Sequence, residues 1–201
     1  MNKGPQVFLW ETPNSSKQDV KALLSDLPIG DQNQADKIKV SHSKKMVSFA
    51  LSEKEKIGID IEVENKNRKI LDIANTYGTP SEIGYLETKT DDDRVSAFYK
   101  IWSLKESFAK ATGAGLDISL QNLKFDFDRS KVLQTPDQQQ CVFFYSKYRD
   151  LHISVSILSD RSNAPVIYEV KKTSQGFEYT ELKNIHFEKF VYALPSVPTY
   201  H

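Results

Sequence analysis

The sequence predicts an α+β protein in which small antiparallel sheets pack on one long helix. Three stretches carry that expectation. Lys56 to Val63 alternates without a break: Ile57, Ile59, Ile61 and Val63 on one face, Gly58, Asp60 and Glu62 on the other, the period of a strand. Asp92 to Thr112 instead carries two apolar rows at helical spacing: Val95, Phe98, Trp102 and Ala109, then Ile101, Leu104, Phe108 and Ala111. A stripe that wide belongs to a core helix. Beyond Gly115 strand patterns return in Leu123–Phe127, Cys141–Tyr145 and Leu151–Leu158.

The remaining elements follow in order. Val7 to Trp10 is a short apolar strand. Ser15 or Ser16 caps a helix through Val20, Leu23, Leu24 and Leu27, which Pro28, Gly30 and Asp31 stop. Asp31 to Lys39 reads as a loop, Val40 to Ser43 and Met46 to Leu51 as extended chain, and Ser52 to Lys56 as a turn. Asn65 to Arg68 is a polar loop. Ile70, Ile73, Ala74 and Tyr77 share one helix face, and Thr79 or Ser81 caps a further short helix through Ile83 and Leu86. Asp91, Asp92 and Asp93 suit the start of the long helix, and Gly113 and Gly115 end it. Val166–Val170 and Phe177–Thr180 flank a turn at Ser174–Gly176. Ile185 to Leu194 is either a strand or a docked helix, and Pro195 and Pro198 leave the last residues without regular structure.

Composition narrows the function classes. Twenty-seven basic residues balance twenty-seven acidic ones, so there is no global electrostatic case for nucleic acid or an anionic membrane. The single cysteine, Cys141, excludes an intrachain disulfide and a cysteine-based zinc site, and its apolar run makes it a core residue. Met1 to Trp10 lacks a signal-peptide pattern and no segment reaches transmembrane length, so the expected location is cytoplasmic. In 201 residues there is room for one domain or two small ones.

Chemistry concentrates on the alternating strand. Asp60 and Glu62 share a face and repel unless something positive lies between them. Two readings stand at this point: a solvated acidic face on an edge strand, or a magnesium–phosphate site, since Mg²⁺ takes one or two carboxylates plus phosphate oxygens. Glu106 and Lys110, four apart on the long helix near Trp102, are either an ordinary surface pair or part of that site.

Gly58-Ile59-Asp60-Ile61-Glu62 and Trp102-Ser103-Leu104-Lys105-Glu106-Ser107-Phe108-Ala109-Lys110, with Gly113-Ala114-Gly115-Leu116 after the helix and Ser41-His42-Ser43 before the strand, resemble the 4′-phosphopantetheinyl transferases of the surfactin-synthetase type. The resemblance spans about Val40 to Phe127. It implies two pseudo-symmetric halves, here unequal: a reduced N-terminal half over 1–64 and a C-terminal half over 65–201. It implies transfer of the phosphopantetheine arm of coenzyme A to a serine of an apo acyl or peptidyl carrier protein, leaving 3′,5′-ADP. Asp60, Glu62 and Glu106 would hold Mg²⁺. Glu106 would also take the serine proton, directly or through water, and Lys110 would face the pyrophosphate. His42 matches the histidine on the 3′-phosphate of coenzyme A, with Ser41, Lys44 and Lys105 as further contacts. Lys45 adds positive potential beside Lys44 or is an inert turn residue. Lys105 sits at the substrate mouth and steers an acidic carrier. Glu82 matches a position near the metal only loosely and reads equally as a first-turn helix acid. Trp102 reads as core, and His152 and His186 have no partner in this reading.

The stretch before the central strand is short for the family and lacks its long first-half helix. Lys17, Lys21, Lys37 and Lys39 are present but in no recognisable motif. Either the first half keeps its own nucleotide contacts, or two chains complete the site, or coenzyme A binding is lost. The retained acidic cluster, costly without a partner, argues against loss. The chain is expected as a monomer or homodimer. A non-catalytic carrier-binding homologue and a different magnesium-dependent phosphoryl-transfer enzyme are the competing functions.

Overall fold

The computed structural model describes residues 4–12, 17–27, 38–52, 55–115 and 120–192. The Ser15 and Ser16 caps, the segment 28–37 with Lys37, the Leu116 exit and the proline tail lie outside them, as does the Lys17 side chain.

Eleven strands and four helices are found among the described residues: β1 (Gln6–Glu11), α1 (Lys17–Asp26), β2 (Ile38–Ser43), β3 (Met46–Leu51), β4 (Ile57–Val63), α2 (Ile70–Tyr77), α3 (Pro80–Glu87), α4 (Asp91–Thr112), β5 (Lys124–Asp126), β6 (Lys131–Gln134), β7 (Cys141–Tyr148), β8 (Leu151–Ile157), β9 (Val166–Thr173), β10 (Gly176–Glu181) and β11 (Glu188–Tyr192). They form two sheets, ordered β10-β9-β1-β3-β2 and β4-β8-β7-β11-β6-β5. The sheets are mixed rather than purely antiparallel, because β1 pairs in parallel with β9 and β11 with β6. The sheets do not part at residue 64: β4 hydrogen-bonds in the second, while β9 and β10 return to the first. Lys39, expected in a loop, lies in β2, and the tail forms the strand β11. No helix among the described residues is long and apolar enough to cross a membrane.

The apolar face of β4 explains how the sheets meet. Ile57, Ile59, Ile61 and Val63 join Ile153, Val155 and Ile157 of β8 against Val7 and Leu9 of β1, Ala50 of β3 and Ile167 of β9. Each buried Val or Ile contributes about 1.5–3 kcal/mol, enough together to hold a strand whose opposite face carries acids. The outer face of the first sheet is covered by Leu23 of α1 and Leu27 just after it, packed on Phe8, Trp10 and Phe49. The outer face of the second is covered by Leu104 and Phe108 of α4, packed on Phe143, Phe125 and Phe190. Each sheet thus has its own helix, but α1 has 10 residues and α4 has 22.

Helix ends follow the sequence signals. Thr79 is the cap of α3 and forms a capping box with Glu82, with Pro80 in the first turn. Gly113 ends α4 at φ 75°, a left-handed backbone conformation glycine adopts without strain.

Lys105 is not at a substrate mouth. Its ammonium is buried and donates to the carbonyls of Leu120 (2.6 Å) and Leu123 (2.8 Å). It also pairs with Glu82 at 3.0 Å, the two side chains being 1 and 2 % exposed. Burial pulls the Lys105 ammonium pKa down, and Glu82 opposes that pull. Glu82, whose Oε2 also accepts from the Thr79 backbone N–H, is therefore spent on joining α3 to α4. Both residues hold structure together, and Glu82 Oε1 is left buried without a hydrogen-bond partner.

The seat of α4 on the sheet is set by small residues. Gly58 lies under Ser107 and Ala111, where an added Cβ would run into the Ser107 carbonyl and stand 2.5 Å from the Ala111 amide nitrogen. Ser103 meets Ser154 of β8 at 2.7 Å between hydroxyls. Because the obstructing atoms are backbone, Gly58→Ala is expected to cost about 3 kcal/mol, the upper end for overpacking. Urea unfolding with an unchanged m-value would measure it.

Candidate active site

The polar face of β4 is enclosed rather than solvated. β4 is the edge strand of its sheet by hydrogen bonding, yet Asp60 is only 4 % exposed. The Leu158 amide donates to Lys56 O and the Glu64 amide to Asp150 O, so the even-numbered residues of β4 bond to β8. The odd-numbered amides turn the other way, toward β2. There Ile61 N–H donates to Ser41 Oγ (3.3 Å) and Val63 N–H to Ser43 Oγ (3.0 Å). Side-chain hydroxyls thereby take the place of a missing neighbouring strand.

The same hydroxyls hold the carboxylates. Ser41 donates to Asp60 Oδ1 (2.9 Å) and Ser43 to Glu62 Oε2 (3.1 Å). Lys110 comes down from α4 and donates to Asp60 Oδ1 (2.7 Å) and Ser41 Oγ (2.8 Å). Lys110 is thus committed to the strand, and the reading of Glu106 and Lys110 as an ordinary surface pair does not hold. Trp102, one turn before Glu106, donates its indole N–H to Glu62 Oε1 at 3.1 Å. It is core, as expected, and a site residue as well.

The electrostatics follow from burial. Burial pushes the Asp60 carboxyl up to about 7 from an ordinary 3.8; Lys110 opposes this, while Glu62 and Glu106 add to it. Burial also raises the Glu106 carboxyl, with Glu62 in the same direction and Lys110 and Arg68 against. Glu106 therefore belongs to one electrostatic group with Asp60 and Glu62. Among the described residues, however, no three side chains of His, Cys, Asp or Glu are already gathered as a metal cage. What the strand does offer is Asp60 Oδ2, which is buried with no hydrogen-bond partner. A buried carboxyl oxygen in that condition suits a hard cation, whose charge would favour the ionised form.

The other expected contacts are distributed differently. His42 is exposed on β2, facing away from the strand pair that Ser41 and Ser43 join to β4. Lys44, in the β2–β3 turn, donates to the Glu64 carbonyl at 2.9 Å. With Lys45, Arg149 and Lys171 it lines a cleft of about 1100 Å³ floored by Leu9, Val63 and Leu151. This cleft lies on the apolar side of β4, away from Asp60. Lys21 is exposed on α1, outside the set of residues around Asp60. His186 is exposed. Burial pushes the Cys141 thiol pKa up, in keeping with an inert core residue.

Two groups escaped the sequence reading. Arg68 donates to Glu62 Oε1 at 3.3 Å; its only sequence signal was a charge six residues beyond Glu62 in a polar loop. His152 faces Glu62 across the β4–β8 register but turns its ring to other partners. Nε2 lies 2.9 Å from Glu64 Oε1 and Nδ1 2.9 Å from the Tyr145 hydroxyl. Burial lowers its pKa, with Glu64 opposing. The neutral ring then donates from Nε2 to the carboxylate and accepts from Tyr145 at Nδ1. Burial works to raise the Glu64 carboxyl, but the hydrogen bonds from Lys147 and His152 outweigh it and hold it low.

Comparison with known proteins converges on the same stretch. The profile of the 4′-phosphopantetheinyl transferase superfamily matches residues 56–169, from β4 into β9. The 4′-phosphopantetheinyl transferase Sfp of Bacillus subtilis (strain 168) is 33 % identical over 126 residues, covering 61 % of this chain and 52 % of that protein. The 4′-phosphopantetheinyl transferase gsp of Aneurinibacillus migulanus is 30 % identical over 107 residues, 53 % of this chain and 44 % of that one. A putative 4′-phosphopantetheinyl transferase of Synechocystis is 32 % identical over 98 residues, 49 % and 40 % respectively. The chain spans about half the length of these curated relatives. With the matched profile running over more than half of its residues and through both β4 and α4, the chain belongs to the 4′-phosphopantetheinyl transferase superfamily.

Proposed function

We propose that this protein transfers the 4′-phosphopantetheine arm of coenzyme A to a serine hydroxyl of an apo acyl or peptidyl carrier protein, with release of 3′,5′-ADP and dependence on Mg²⁺. The observation that carries the reading is Asp60: an aspartate 4 % exposed, with one oxygen on Lys110 and the other without a partner. Leaving such an oxygen unpaired costs about 1–3 kcal/mol or more, which a bound divalent cation would offset.

In this reading Asp60 and Glu62 supply strand oxygens to the ion, and Glu106 supplies the third carboxylate from the helix. Bound Mg²⁺ polarises the pyrophosphate and neutralises charge on the leaving phosphate. Lys110, one turn beyond Glu106, places a second positive charge where that charge grows. Glu106, its carboxyl raised by burial, is the base that takes the serine proton, directly or through a water. His42, exposed on β2, and Lys44, above the inter-sheet cleft, are the proposed contacts for the anionic nucleotide.

The direct test incubates the protein with coenzyme A, Mg²⁺ and an apo carrier protein and weighs the carrier. A gain of the phosphopantetheine mass is expected; carrier binding without mass gain would point to a non-catalytic binding homologue. Asp60→Asn or Glu106→Gln should lower transfer at least a hundredfold with an unchanged circular dichroism spectrum. Full activity in either variant would remove the site assignment.

The raised Asp60 pKa has a consequence for stability. The unfolded carboxyl ionises near 3.8 and the folded one near 7, so between these values the folded chain binds more protons. This group's contribution therefore declines as pH rises from about 4 to 7. Asp60→Asn should remove that decline: in urea unfolding at pH 4.5 and 7.5 without divalent ions, the parent should lose more stability over the interval than the variant. Equal losses would show that Asp60 is not a buried, raised acid.

A further inference from the structure

The two strand carboxylates are satisfied asymmetrically. A carboxylate oxygen accepts two hydrogen bonds in full. Asp60 Oδ1 takes two donors, Ser41 and Lys110, and Oδ2 takes none. Glu62 repeats the pattern: Oε1 takes Trp102 Nε1–H and Arg68, while Oε2 takes Ser43 alone. On each residue one oxygen is filled by the protein and the other is left with accepting capacity.

Arg68 is built into this arrangement from two sides. One guanidinium nitrogen lies 3.3 Å from Glu62 Oε1. The guanidinium carbon also lies over three rings of α4: Trp102 at 5.3 Å, Phe98 at 5.7 Å and Tyr99 at 5.8 Å. Positions 98 and 99 lie four and three residues before 102 on the helix, so the three rings, with Tyr99 edge-on to Phe98, form an aromatic pocket that holds the guanidinium beside Glu62. The side chain is 30 % exposed and Glu62 19 %, so the contact is neither a floating surface pair nor a sealed core pair. The adjoining loop is anchored too: Asn65 N–H donates to the Tyr99 hydroxyl at 3.1 Å.

We propose that Arg68 is a positioning residue: by filling Glu62 Oε1 together with Trp102 it turns the carboxylate so that Oε2 is the oxygen presented to a divalent cation. The proposal rests on the magnesium reading above and adds the residue that sets the ligand's orientation. A planar guanidinium held among these rings carries its donors in a rigid fork, where a lysine ammonium is a point charge with rotatable donors. Outer-shell partners of metal ligands typically contribute ten- to a hundredfold in metal affinity.

The test is Mg²⁺ binding by calorimetry in the absence of substrate, followed in parallel by tryptophan emission; of the two tryptophans, only Trp102 touches Glu62. Arg68→Met should weaken Mg²⁺ binding about tenfold while keeping a cooperative melt. Arg68→Lys should recover only part of the loss. Parent-like Mg²⁺ affinity in Arg68→Met would overturn the positioning role and leave the magnesium reading intact. If Arg68→Met fails to fold, Arg68→Lys decides: several-fold weaker binding supports the proposal, and parent-like binding overturns it. A parent protein that shows no Mg²⁺ response overturns the magnesium reading and this proposal together.

Discussion

Two serine hydroxyls carry the junction on which the rest of this structure depends. Ser41 and Ser43 stand on the last strand of the first sheet and accept the outward amides of β4, the first strand of the second. A sheet edge needs such partners, because an unpaired N–H away from water costs as much as a lost hydrogen bond. Using side chains instead of another strand has a second effect. A hydroxyl donates as well as accepts, so each serine that closes the edge also orients the carboxylate beside it. The joint between the sheets and the shaping of the site are one set of bonds.

That arrangement places charge where burial opposes it. The apolar side of β4 lies in the inter-sheet core, and α4 seals the polar side through Gly58 and the small residues above it. Asp60 and Glu62 are thus held by the fold. Lys110 answers the first and Arg68 the second, one arriving from the C-terminal end of α4 and the other from the loop after β4. Neither cation neutralises the group completely, since Asp60 retains an unpartnered oxygen. Local violations of good packing chemistry concentrate where function is. The buried pair of Lys105 with Glu82 lies away from that strand face; its lysine is satisfied by two carbonyls and a carboxylate, while Glu82 Oε1 is also unpartnered, so what sets Asp60 apart is the neighbouring acids Glu62 and Glu106.

What could be read from the sequence divides by the range of the interactions involved. β4 and α4 were legible because their periodicities are local and unbroken, and the α3 cap was legible because a capping box is a four-residue signal. The polar face of β4 was legible as chemistry but not as burial: nothing in Gly58 to Glu62 says that β2 lies 20 residues upstream in sequence but adjacent in space. Lys105 was misplaced for a related reason. In a helix with apolar residues on nearly every side, a lysine reads as a solvent-facing exception, and only the docking of 120–123 and α3 supplies its three acceptors. The parallel pairings of β1 with β9 and β11 with β6 join segments far apart in sequence, which no alternation pattern encodes. Arg68 lay in a loop whose charges all look alike until the rings of α4 select one of them.

The claim that hydroxyls close the β4 edge is most directly tested by amide hydrogen exchange at single residues. In the parent protein Ile61 and Val63 should be protected along with their neighbours that bond to β8. In Ser41→Ala the Ile61 amide should exchange faster while the Glu64 amide, bonded to Asp150, keeps its protection. Unchanged protection at Ile61 in that variant would mean that something other than the serine seals the edge, and the coupling between the sheet junction and the carboxylates would not stand.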